Sequence, residues 1–181
     1  MKRKILILTV LLVFIAIPLV YLKLTIYTAP QVQNKEEFPE RIVVNEEHFE
    51  IGPNWLRRNN MGNWESYVEG DAYERGLIMG SLQKELIVEQ EKAFVTEIEN
   101  VLPNYFFRKL LLYSVGWFNR SLDQSVPMEI RREIYGVSRS FSDDFNFVGP
   151  KYNRIINYHA AHDIGHMAQN MNLVACSALA R

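Results

Sequence analysis

The sequence predicts an α+β protein, mostly helical, preceded by a single transmembrane helix. Three observations lead there. Ile5 to Leu22 is apolar apart from Thr9 and Tyr21. From Ala72 to Phe141, apolar residues recur at three- and four-residue spacings, the period of amphipathic helices. Finally, a polar, histidine-rich segment from Tyr158 runs into the short apolar stretch Leu173 to Ala175, and Cys176 follows at once.

Composition bounds the reading. Apolar residues are 48% of the chain and aromatics 12%, enough for a real core. At 181 residues, less a membrane segment, there is room for one domain of modest size. The formal net charge is -1, and the basic cluster is confined to Met1–Lys4, so a nucleic-acid partner is not expected. Cys176 is the single cysteine and cannot form an intramolecular disulfide. It is either a buried small apolar residue or a free reactive thiol.

The elements follow in order. As a helix, Ile5–Leu22 would be about 27 Å long, close to the ~30 Å hydrocarbon core. Its basic flank should stay cytoplasmic and the remainder be translocated. A cleaved signal peptide competes, but no Ala-x-Ala site follows, and Thr28 and Ala29 precede Pro30. Residues 1–27 are therefore expected to be an uncleaved anchor, single-pass, with the domain outside the cytoplasm. Residues 28–62 are polar, carry Pro30, Pro39 and Pro53, and read as a tether with one short strand, Arg41–Asn45, and a turn near Gly52. His48 lies there alone and reads as a surface residue.

Residues 63–181 form the expected domain. Asn63–Gly70 alternates like a strand. Asp71 with Glu74 has capping-box spacing and opens a helix expected to run from Ala72 to about Val101. On it, Gly76 and Gly80 lie four apart on one face, where another backbone can approach. Pro103 begins a helix through Phe106, Leu110, Tyr113 and Trp117. Its aromatic richness resembles a membrane-interface belt, but Arg108 and Lys109 and its short length make it a core helix. A third helix begins at Ser125–Met128, Phe145–Pro150 is a loop, and a fourth helix spans Lys151 to about Met171. Leu173–Ala180 is a strand.

Two chemistries are available in the last stretch. His159, His162 and His166 share one helical face and, with Asp163 nearby, could hold zinc or copper. Three ligands on one straight helix converge poorly, because successive turns are about 5.4 Å apart. Structural histidines around the terminal strand are the better reading. The second chemistry centres on Cys176. A nucleophilic cysteine needs a base and an oxyanion hole. If the cysteine becomes a chain terminus, its own α-amine, of pKa near ~7.7–8.0, serves as that base. Self-cleavage would expose it: the thiol attacks the carbonyl of Ala175, the acyl group shifts to sulfur, and water releases the new terminus.

Leu173–Ala178, together with Tyr158–His166, Glu69–Gly80 and Pro127–Gly136, resembles the penicillin acyltransferase-type family of autoproteolytic cysteine hydrolases, in the N-terminal-nucleophile superfamily. The resemblance covers about Trp64 to Arg181. It implies a four-layer αββα fold, of which this chain is the N-terminal, mostly helical part. It also implies cleavage between Ala175 and Cys176, with Cys176 the nucleophile and its freed amine the base. The substrate would be a small-molecule acyl amide or ester, the partner the C-terminal portion carrying the remaining sheets, and no cofactor is implied. Alone, the chain is expected to be an inactive portion of the enzyme. The alternatives are an anchored metal-binding module using His159, His162 and His166, and a structural helical protein with Cys176 buried.

Overall fold

The computed structural model describes residues 2–32 and 40–169. Among them the chain forms six α-helices and one four-stranded antiparallel sheet, so the mostly helical α+β character is present. The expected terminal strand at 173–180 lies outside the described residues. Among the described residues there is a single sheet.

The sheet is built largely from the stretch expected to be a tether. Strands β1 (Ile42–Asn45), β2 (His48–Ile51), β3 (Asn54–Arg58) and β4 (Trp64–Tyr67) pair in sequence order as a meander. The turn after Ile51 uses Gly52 at φ 57°, a left-handed conformation that glycine adopts without penalty. Asn54 Nδ2 closes this turn onto the Ile51 carbonyl at 3.0 Å. Strands β1 and β4 fall within the expected strands Arg41–Asn45 and Asn63–Gly70. The prolines that suggest a tether lie outside the strands, and β2 and β3 are too short, at four and five residues, for their alternation to show in the sequence. His48, expected at the surface, is half-buried on β2, with Nε2 3.1 Å from Glu50.

Helix α1 (Lys2–Thr25) forms as expected. Among the described residues, however, no helix is long and apolar enough to cross a membrane. That corrects the expected transmembrane helix, and with it the single-pass localisation outside the cytoplasm. The reason lies at its C-terminal end, which is committed to protein contact. Tyr21 donates to the Tyr113 carbonyl at 2.8 Å and sits edge-on to that ring, and Thr25 is buried. The apolar stretch that precedes Tyr21, Ile5 to Val20, is about 24 Å long as a helix, short of the ~30 Å core.

The single helix expected over 72–101 is two helices, α2 (Ala72–Leu82) and α3 (Lys84–Val101), separated at Gln83. Asp71 caps α2 as expected, its Oδ1 accepting from the Glu74 amide at 2.9 Å. The break lets the two halves serve different partners. One face of α2 places Ile78 and Leu82 on the sheet residues Ile51 and Leu56. Its other face meets α5 (Met128–Ser138), where a Cβ on Gly76 would collide with the Glu133 carbonyl. The close approach expected at Gly76 and Gly80 is real.

Helix α4 (Tyr105–Phe118) is not the expected core helix, for none of its residues is buried. The second core cluster instead surrounds α6 (Lys151–Gln169), with Tyr152, Ile155 and Ile156 packed on Tyr27 and Phe141.

Candidate functional site

The residues singled out by sequence all sit on, or lead from, α6. Its first two turns form the longest run of buried side chains among the described residues: Tyr152, Asn153, Arg154, Ile155 and Ile156 are each below one-tenth exposed. Asn153 holds the chain that leaves α1, donating from Nδ2 to the Thr25 carbonyl at 2.8 Å and accepting from the Tyr27 amide at 3.2 Å. The Tyr27 hydroxyl then donates to the Asn119 carbonyl at 2.6 Å. Burial pushes the Tyr27 phenol up to about 12, helped by the nearby Asp123 and Tyr152.

Arg154 is the anchor. Its side chain is fully buried, with Nε 2.8 Å from Oε1 of Glu91, itself 1% exposed on α3. Nη2 donates to the Ser142 carbonyl at 2.6 Å. Nη1 donates to Asn146 Oδ1 and to the Gly149 carbonyl. The Tyr158 hydroxyl completes the set, donating to Glu91 Oε1 at 3.0 Å. Burial and the Glu91 charge hold the Tyr158 phenol well above its ordinary range. Burial also raises the Glu91 carboxyl, against the opposing pull of Arg154 and Tyr158. One guanidinium thus ties α6 to α3 and to the 142–149 loop, and a buried charge survives only with such pairing.

Sequence reasoning missed this pair, although a signal was present. Glu91 interrupts the stripe Ile87–Glu91–Val95 at four-residue spacing, and Arg154 sits inside the otherwise apolar or neutral run Tyr152–Ile156. A charge at a core position of a helix calls for a partner.

Beyond that anchor, α6 forms one wall of an apolar groove of about 490 Å³. Met79 of α2, Ile130, Ile134 and Val137 of α5, and Ile155 and Ile156 of α6 line it, with Glu133 and His159 as its polar groups. This size and lining suit a small apolar ligand group. His159 is exposed at the groove. The side chains of His162, Asp163 and His166 lie outside the described residues, as do Ala175 and Cys176. Among the described residues, no group of three histidine, cysteine, aspartate or glutamate side chains could hold a metal ion.

Two segments quoted for the family resemblance, Glu69–Gly80 and Pro127–Gly136, meet face to face. Arg75 Nη2 lies 2.8 Å from Glu133 and 3.3 Å from Glu129. Gly136 approaches the same helix, where a Cβ would stand 2.5 Å from the Tyr73 carbonyl. Comparison of the chain with family models, with curated proteins and with solved structures found no match.

Proposed function

We propose that this chain carries the leading part of an N-terminal-nucleophile cysteine hydrolase or acyltransferase of penicillin acyltransferase type, in which cleavage between Ala175 and Cys176 frees the catalytic cysteine. The thiol of Cys176 is the nucleophile and its new α-amine the base, acting on a small-molecule acyl amide or ester. The observation that carries this reading is the α2–α5–α6 unit. Segments 69–80 and 127–136, far apart in sequence, close on each other through Arg75, Gly76 and Gly136. The third, 158–166, continues a helix locked by a buried ion pair. Peptide self-cleavage needs the attacking thiol aimed at one carbonyl within a few tenths of an ångström. A helix held this firmly is a suitable base for the segment that delivers it. The apolar groove beside His159 offers room for the acyl group.

Intact-mass spectrometry and N-terminal sequencing of protein made from the native reading frame test this. The expected result is a product whose first residue is Cys176, absent in Cys176→Ala. An uncleaved wild-type chain with a thiol that alkylates no faster than in a denatured control would overturn the reading.

A further inference from the structure

Alone among the α-helices of the described residues, α4 buries none of its side chains, and most of its aromatic residues face outward. Phe106, Leu110 and Trp117, along one stripe, are exposed, and Tyr105, Phe107 and Phe118 flank them, with Phe118 78% exposed. Its half-buried positions are Leu112, Val115 and Gly116 together with Arg108, Lys109 and Ser114. Every charge from Tyr105 to Arg120 is positive: Arg108, Lys109 and Arg120, of which Arg108 is paired with Glu99 at 3.7 Å. The Arg120 guanidinium lies over the Trp117 ring, 4.7 Å from its centroid, and Lys109 lies 5.7 Å from that of Tyr105.

We propose that α4 docks on an anionic lipid surface, lying in the headgroup layer with its aromatic stripe inward. Nothing crosses the bilayer in this arrangement; the helix rests on it. The chemistry selects lipid over the other occupants of an apolar helix face. Tryptophan and tyrosine are amphipathic rings suited to the water–hydrocarbon boundary, and arginine and lysine extend their apolar stems along it while their charges meet headgroup phosphates. A second copy would bring like charges together across the contact, with no acidic residue on this helix to offset them. A soluble monomer leaves so large an apolar patch exposed only where it is used.

The test is sedimentation of the full chain with vesicles of phosphatidylcholine alone and of phosphatidylcholine with one-quarter phosphatidylglycerol. Wild type is compared with Phe106→Ser/Phe118→Ser. Helix α1 is identical in both proteins and sets the baseline. Each ring removed should weaken binding to the mixed vesicles by about tenfold or more. Lys109→Glu/Arg120→Glu should lower binding to the mixed vesicles by about tenfold and leave the neutral ones nearly unaffected. Should the double serine variant not fold, quenching of Trp117 by brominated lipid in Trp55→Phe/Trp64→Phe reads the same contact directly, and strong quenching is expected. Equal binding by wild type and folded variant, or an unquenched Trp117, would overturn the proposal. So would a dimer in vesicle-free buffer that the serine substitutions dissolve, which assigns the face to a second copy.

Discussion

Helices α2 and α4 are both short and apolar-rich, and both carry glycine, yet they pack in opposite ways. In α2, Gly76 and Gly80 admit the backbone of α5, and the remaining apolar residues are covered on the other face by the sheet. In α4, Gly116 admits side chains of α1 rather than a backbone, the Tyr21 hydroxyl closest and Thr25 beyond it, and the aromatic face is open. The difference teaches that apolar content does not say where a helix goes. What decides it is whether another backbone can come close enough to cover the face, which α5 does for α2 through Gly136.

The sharpest way to break that comparison is to attack the anchored side. Glu91→Gln leaves the Arg154 guanidinium buried without its counter-charge, and should cost about 3–5 kcal/mol in urea denaturation. A loss below about 1 kcal/mol would show that water reaches the pair. Next comes the glycine contrast. Gly76→Ala forces a Cβ against the Glu133 carbonyl and should cost about 3 kcal/mol. Gly116→Ala meets a movable tyrosine tip instead. It should stay within about 0.5 kcal/mol of wild type, because alanine's better helix propensity offsets the lost Tyr21 contact. Equal losses at the two glycines would erase the distinction between the helices.

Smaller effects sharpen it. Asp71→Ala removes the cap of α2 and should lower stability by about 1 kcal/mol, measurable as a lower thermal midpoint. The smallest signal is alkaline. The Tyr27 phenol is raised from 10.0 to about 12 in the folded state, so on unfolding it would ionise sooner. The folded chain therefore holds its proton longer, and stability should decline as pH climbs from 10 towards 12. Absorbance of tyrosinate should rise in an early and a late phase, and the late one, which Tyr152 and Tyr158 also feed, should shrink by one phenol in Tyr27→Phe. A single phase near pH 10 would place Tyr27 in water.

Much of the helical framework was legible because it rests on local chemistry. Asp71 with Glu74, Pro103, Pro127 and the apolar spacings mark the starts of α2, α4, α5 and the body of α6 without reference to anything distant. The break at Gln83 was not legible. No proline or glycine occupies that position, and it exists because α2 and α3 pack on different neighbours. Of the sheet, β1 and β4 fall within the expected strands Arg41–Asn45 and Asn63–Gly70. Strands β2 and β3, four and five residues long on either side of Pro53, carry too few alternations to read. Of the candidate site, the convergence of His159 with an apolar groove was invisible, since Met79 of α2 and residues of α5, distant in sequence, build the wall facing α6.

What the residues settled by themselves was where α2, α4, α5 and α6 begin, the cap at Asp71, and the glycine face prepared for a neighbouring backbone, all set by interactions within a few positions along the chain. Only the tertiary structure decided that the 42–58 stretch folds as a sheet, that α4 faces outward, and that Arg154 and Glu91 pair. Each of these depends on which surfaces come together across tens of residues, and a buried charge or an open aromatic face has meaning only once its neighbours are in place.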